Sequence, residues 1–147
     1  MKMPHKQLRT VFRLWCLLGA AFFLFEAVLH GFGLPVLEHD KIFIYTHDRY
    51  IALYALTYAT LFLSAAWNPE KYRMLTLFTI IGVGMGMINA YYIAEHGGYH
   101  SLFPVITLDS DLRGLGIGTL VWYIGIWVLF FINKPAASST ETITSSH

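Results

Sequence analysis

Four long apolar stretches restrict the fold of this chain more than any other feature. They cover approximately residues 10–30, 50–67, 69–96 and 112–133. A membrane-spanning helix needs about 20 predominantly apolar residues, and each stretch is close to that length or longer. Only 13% of all residues are charged, whereas about 25% are charged in a typical soluble domain. The sequence therefore predicts an all-α, integral membrane four-helix bundle.

The rest of the chain is too short for a second domain. We predict one transmembrane domain over residues 1–134 and a disordered, Ser/Thr-rich tail over 135–147, which has nothing to bury. The basic start and first apolar stretch also fit a cleaved signal peptide. No small-x-small cleavage pattern follows, however, and the next turns carry Glu26 and His30. We expect a retained first helix.

The distribution of Lys and Arg predicts the orientation of the bundle. With both termini inside, seven of the ten basic residues are cytoplasmic and only Lys41, Arg49 and Arg113 are outside. We predict a location in the bacterial inner (plasma) membrane with both termini cytoplasmic. A net charge of +1 argues against a nucleic-acid partner. The expected partners are the lipid bilayer and a homo-oligomer or larger membrane complex.

Titratable side chains are concentrated on the predicted outer side, which receives five of the seven histidines and seven of the nine carboxylates. Glu26 is the most unusual of these residues, because it is an acid that lies about 20 Å farther along the first helix than Arg13 and therefore within the predicted membrane span. An acid inside a membrane costs at least about 2.5 kcal/mol on insertion scales and normally has a partner. Asn89, a tyrosine, Arg49 or Arg113 could fill that role.

A histidine–carboxylate cluster is the predicted functional site. His30 follows Glu26 by four residues and shares its helix face, while two other helix ends carry similar groups. The candidate ligands of a divalent metal are Glu26, His30, His47, Asp48 and His96. Imidazole and carboxylate ligands without thiols suit zinc, copper(II) or iron. The residues expected around this pocket are Arg49, Tyr54, Asn89, Tyr92 and Arg113.

The same residues allow two other interpretations. They could form a proton-responsive network, since histidine titrates near neutral pH. Alternatively, His30 or His47 could hold a haem against His96, which we consider least favoured because these residues lie so close to the surface. A structural interpretation also exists, in which Glu26 is protonated and His30 with Gly31 ends the helix.

Local patterns predict helix ends and close packing. Asn68-Pro69-Glu70 has the composition of a helix N-terminus, with Asn68 as the cap. Gly82 and Gly86, with Ala90 four residues on, make one face of the third helix small, and the fourth helix has a similar set in Gly114, Gly118 and Gly125. Small residues let membrane helices approach closely. The single cysteine, Cys16, excludes an intramolecular disulfide.

The chain resembles the DoxX-like group of small four-helix membrane proteins. The resemblance rests on the four-helix layout, the Asp48-Arg49 start of the second helix, the glycine-rich third helix and the turn at 68–73. It covers only the helical region and implies an accessory or redox-associated membrane protein, some relatives being linked to sulfur compound oxidation with quinone. No catalytic residue is carried over.

We therefore predict a membrane accessory or binding protein with an outward-facing His/carboxylate pocket. Its ligand would be a divalent metal or a small polar molecule, or the pocket would act as a proton-linked switch. The alternatives are a quinone- or metal-linked subunit of a membrane redox enzyme and a purely structural subunit. Since the sequence assigns no catalytic residue, we favour a non-enzymatic role.

Overall fold

The computed structural model describes residues 5–34, 45–96 and 110–133, with side chains described for 6–34, 48–88 and 117–133. Within these ranges the protein is all-α and contains four helices. Each helix corresponds to one of the four apolar stretches. Their bounds are α1, His5–Phe32; α2, Tyr45–Trp67; α3, Arg73–His96; and α4, Ser110–Ile132.

The end of α1 differs from the sequence prediction. The predicted stop at His30 and Gly31 is wrong, because α1 continues to Phe32. Gly33 then adopts a positive φ of 64°, and the Leu34 N–H donates to the Leu29 carbonyl oxygen at 3.0 Å. Glycine reaches this left-handed conformation without a Cβ penalty, which is why it commonly closes a helix. His30 consequently lies inside the last turn rather than at the helix end.

A tight turn at 69–72 connects α2 to α3. The Asn68 side-chain oxygen accepts a hydrogen bond from the Lys71 backbone N–H at 3.1 Å, which confirms the predicted capping role of Asn68. The Tyr72 N–H also donates to the Asn68 carbonyl oxygen at 3.1 Å. Residues 69–72 therefore form one capped turn, and α3 itself begins at Arg73 rather than at the predicted residue 69.

Two arginines each close the C-terminal end of the helix next to their own. Arg13 donates to the Trp67 carbonyl oxygen at 2.9 Å, at the end of α2. Arg73 donates to the carbonyl oxygens of Phe130 and Asn133 at 3.0 and 2.6 Å, and its guanidinium lies 4.3 Å from the centre of the Phe130 ring. The last carbonyls of a helix have no partner within it and attract positive charge, so these bonds stabilise both termini.

The four helices form a ring in which each contacts the next and α4 returns to α1. The most extensive packing is between α1 and α2. An aromatic layer crosses the middle of the bundle, with the Phe23 ring stacked 5.9 Å from Phe62 and Trp122 meeting Phe62 edge-on at 5.3 Å. Tyr58 joins this layer 5.3 Å from Phe23 and also contacts Gly82. The layer therefore includes contacts to all four helices.

A reciprocal tryptophan contact fixes α1 against α4. Trp15 Nε1 donates to the Trp122 carbonyl oxygen at 2.8 Å, and Trp122 Nε1 donates to the Trp15 carbonyl oxygen at 3.0 Å. Each indole lies over a glycine of the other helix, Trp15 over Gly125 and Trp122 over Gly19. A Cβ on Gly125 would approach Trp15 Cζ2 to 2.6 Å, which is closer than van der Waals contact allows.

The small residues named by the sequence analysis divide into two groups. Gly82 contacts the Tyr58 ring and Gly125 contacts Trp15, as predicted for close helix packing. By contrast, a Cβ at Gly86 or Gly118 would have no described atom within 4 Å. Close packing of the predicted small face of α3 is therefore shown at Gly82, and at Gly86 it stays a prediction.

Two helices are long and apolar enough to cross a membrane. These are Lys6–Phe32 and Asp48–Trp67, judged by length and composition over the described residues. The described apolar parts of α3 and α4, Arg73–Ile88 and Ile117–Ile132, are shorter. Large apolar side chains also cover much of the outer surface, including Leu53, Ile88 and Ile117, each more than half exposed.

Candidate functional site

A continuous buried stripe on α1 and α2 leads to the candidate site. On α2, Ala55, Ala59 and Phe62 are buried at intervals of three or four residues, and Asp48 lies seven residues before Ala55 on the same face. The small side chains of Ala55 and Ala59 allow α1 to approach closely. At the same end, a Cβ on Gly31 would lie 3.7 Å from Ala52 Cβ. The polar site therefore continues the α1–α2 contact, which is the most extensive helix contact among the described residues.

His30 lies between two carboxylates, an arrangement we call the Glu26–His30–Asp48 triad. Its Nδ1 is 2.7 Å from Asp48 Oδ1, and its Nε2 is 3.4 Å from Glu26 Oε2. The three side chains are only 10–14% exposed. Glu26 and His30 share α1 at the i, i+4 spacing, whereas Asp48 comes from α2. The triad thus joins the C-terminal end of α1 to the N-terminal end of α2.

The helix termini favour the charges of the triad. His30 lies in the last turn of α1, where the helix dipole is negative, and Asp48 lies in the first turn of α2, where it is positive. The ring nitrogens each face a carboxylate oxygen. A neutral imidazole has only one N–H, whereas the imidazolium donates from both nitrogens. The geometry therefore accommodates a doubly protonated His30 as a bridge between two acceptors.

The predicted metal ligands are brought together only in part. Glu26, His30 and Asp48 are adjacent, while the side chains of His47 and His96 lie outside the described residues. Across the described parts of the chain, no group of three or more His, Cys, Asp or Glu side chains is placed to hold a metal ion. A physical reason is that both imidazole nitrogens of His30 already face carboxylates, on opposite edges of the ring. The metal site stays a prediction.

Two of the five residues predicted around the pocket, Arg49 and Tyr54, have described side chains. Arg49 and Tyr54 are exposed, Tyr54 by 66%. The hydroxyl groups farther along α2 bond to their own helix, as in Thr57 to the Leu53 carbonyl at 2.8 Å. The predicted residues whose side chains lie outside the described set are Asn89, Tyr92 and Arg113.

The inter-helix partner of His30 was not predicted from the sequence. Asp48 was named as a metal ligand, yet it contacts the imidazole directly. The sequence did indicate that Asp48 lies on the packed side of α2, because it precedes Ala55 by seven residues on an alanine-rich helix face. The spacing alone did not specify which histidine it would meet.

Comparisons with models of known protein families, with curated proteins and with solved structures found no match to this chain. The resemblance to the DoxX-like group therefore stays a prediction. The functional interpretation rests on the geometry of the triad and on the composition of the helices.

Proposed function

We propose that this protein is a four-span integral membrane protein in which the Glu26–His30–Asp48 triad acts as a proton-linked switch. The observation that carries the proposal is the position of the His30 ring, with Nδ1 2.7 Å from Asp48 and Nε2 3.4 Å from Glu26. In the proposed orientation both termini are cytoplasmic, the membrane is the inner membrane of a bacterium, and the triad faces outward.

Proton loss from the triad would change the contact between α1 and α2. With His30 protonated, one cation separates the two carboxylates and bonds to both. Without that proton, Glu26 and Asp48 face each other across a neutral ring that donates to only one of them. Electrostatic interactions are stronger in a poorly hydrated site than in water. The expected response is separation of the α1 C-terminal end from the α2 N-terminal end.

The proposed orientation is supported by the position of the arginines. Arg9, Arg13 and Arg73 lie at the end of the bundle opposite the triad, where Arg13 and Arg73 bind the carbonyls that end α2 and α4. An excess of Lys and Arg marks the cytoplasmic side of membrane proteins. Labelling of single cysteines in intact cells tests this directly: Ser139→Cys should be protected from an impermeant reagent and Ser101→Cys should react.

The switch is tested by a distance measurement across the triad end. Spin labels are attached to Phe32→Cys and Tyr50→Cys in a Cys16→Ala background, since positions 32 and 50 are both more than half exposed. The label-to-label distance in lipid bilayers should change between about pH 5 and pH 11, a range extended above ordinary histidine titration because both carboxylates favour the protonated ring. His30→Gln should remove that dependence, because glutamine cannot gain the proton.

Two outcomes would contradict the proton switch. A distance that stays constant with pH in the wild type would identify the triad as a static ion pair. Stoichiometric zinc, copper or iron in the purified protein, lost in both Glu26→Gln and Asp48→Asn, would instead establish a metal-binding function. Bilayer reconstitution of the labelled wild type serves as the control that the measured protein is folded in lipid.

A further inference from the structure

The end of the bundle opposite the triad is strongly cationic. Over the described side chains it carries five basic residues, Lys6, Arg9, Arg13, Lys71 and Arg73, and a single carboxylate, Glu70. Arg13 and Arg73 are occupied with helix carbonyls. Lys6 and Arg9 therefore provide the positive charge on the first turns of α1 that is not used to close a helix.

A shallow groove lies on α1 beside Lys6, and Arg9 lies on the adjoining face of the same helix. The groove is lined by Lys6, Gln7, Thr10 and Val11, so a cation, an amide and a hydroxyl adjoin an apolar side chain. Farther along the same side of α1, Leu14 and Leu18 are 60% and 55% exposed, at helical spacing from Gln7 and Val11. Along this side of α1, the polar residues of the groove are thus followed by exposed apolar side chains.

We propose that this groove binds an anionic glycerophospholipid, with the phosphate at Lys6 and Arg9 and an acyl chain along Leu14 and Leu18. The proposal rests on the membrane placement in the proposed function. A phosphate suits a lysine as a point charge and an arginine as a forked donor. Basic residues near the cytoplasmic membrane surface attract anionic lipids, and the predominance of cations here favours a headgroup with net negative charge.

Glu70 competes with the lipid for Arg9. Arg9 Nη1 lies 3.2 Å from Glu70 Oε1, and the two side chains are 35% and 49% exposed. An ion pair with this exposure contributes little to stability. Arg9 can therefore exchange the carboxylate for a phosphate oxygen at low cost, and removal of the Glu70 charge should strengthen lipid binding rather than weaken it.

Lys71 provides a matched control for Lys6. Both are exposed lysines at the same end, but Lys71 lies on the α2–α3 turn, with its amine 5.4 Å from the centre of the Tyr72 ring. A diffuse attraction between the cationic end and the membrane would depend equally on both lysines. A lipid bound in the groove would depend on Lys6 but not on Lys71.

The experiment is native mass spectrometry of the full-length protein in detergent, titrated with phosphatidylglycerol or phosphatidylcholine. Phosphatidylglycerol should bind more tightly, and Lys6→Gln should weaken it about fivefold. Lys71→Gln should leave the affinity unchanged, and Glu70→Gln should raise it about two- to fivefold. Retention of binding in Glu70→Gln also checks that this end of the protein stays folded.

Three results would overturn the lipid site: equal binding of both lipids, equal losses in Lys6→Gln and Lys71→Gln, or full displacement of the lipid by inorganic phosphate. The last would identify a free-phosphate site instead. These outcomes are separable from failure of the proton switch, since His30→Gln should bind phosphatidylglycerol like the wild type. A protein that does not enter lipid vesicles would contradict both proposals, whereas one that enters them without lipid selectivity contradicts only this one.

Discussion

Addition of a single methyl group at Gly125 should disrupt the contact between α1 and α4. A Cβ there would lie 2.6 Å from Trp15 Cζ2 and 2.9 Å from Trp15 Nε1. Carbon contacts need about 3.5–4.0 Å, so the indole must withdraw by about 1 Å. The Trp15 Nε1 to Trp122 oxygen distance, now 2.8 Å, would then exceed the hydrogen-bonding range. Gly125→Ala therefore removes one half of the reciprocal tryptophan contact.

The net change in the free energy of unfolding caused by Gly125→Ala follows from opposing contributions. Overpacking costs about 1–3 kcal/mol, and a buried donor left without an acceptor costs about 1–3 kcal/mol. Alanine in a helix interior recovers about 1 kcal/mol relative to glycine. We expect Gly125→Ala to lower the free energy of unfolding by about 3 kcal/mol. Gly118→Ala, at a glycine with no described neighbour within 4 Å of its Cβ, should raise it by up to about 1 kcal/mol.

Unfolding in mixed micelles, followed by far-ultraviolet circular dichroism, measures both variants under the same conditions. Tryptophan emission of Gly125→Ala should also shift to longer wavelength, because Trp15 would leave a packed site for a more polar one. Equal stability of Gly125→Ala and Gly118→Ala would refute the reasoning, since it would mean that α1 and α4 approach less closely at this position than the tryptophan contact requires.

Two further predictions concern the ends of the bundle. Asp48→Asn should lower the free energy of unfolding by about 2 kcal/mol, because it replaces the acceptor of the charge-assisted bond of 2.7 Å to His30 Nδ1. Glu26→Gln should lower it by only about 0.5 kcal/mol, because Glu26 lies 3.4 Å from His30 Nε2 at i, i+4 spacing. The same unfolding assay orders them, and equal losses would contradict the geometry of the triad. Arg73→Gln should speed amide hydrogen exchange in the last turn of α4, since two donors to the Phe130 and Asn133 carbonyls are lost; unchanged exchange there would show that Arg73 does not close the helix.

The positions of the helices and the pairing of Glu26 with His30 could be predicted from the sequence. Apolar stretches of sufficient length predict four helices, and the spacing of Glu26 and His30 alone places them on one face of α1. Asn68 was likewise predictable as a cap, because its role depends on residues within four positions. In each case the relevant interaction is local, so the helical period determines the outcome.

The inter-helix contacts could not be predicted, because they depend on which face each helix turns toward its neighbour. Nothing near Gly125 in the sequence indicates that Trp15, far away in the chain, would cover it. Gly82 and Gly86 have the same local pattern, yet only Gly82 has Tyr58 above it. Similarly, His30 turns both ring nitrogens to carboxylates, which a list of metal-compatible residues does not reveal. Rotation of each helix about its axis decides these contacts, and local periodicity leaves that rotation undetermined.

The aromatic layer separates the two polar ends of the bundle, so we expect them to be energetically independent. Arg9 and His30 lie 21 residues apart on α1, which corresponds to about 32 Å along the helix axis. Between them, Phe23, Phe62 and Trp122 form packed contacts without a hydrogen-bonded path from one end to the other among their rings. Stability effects at sites this far apart normally add to within about 0.5 kcal/mol. The double variant Arg9→Gln/Asp48→Asn should therefore lose the sum of the two single losses, and a larger deviation would mean that α1 transmits the state of the triad through the aromatic layer.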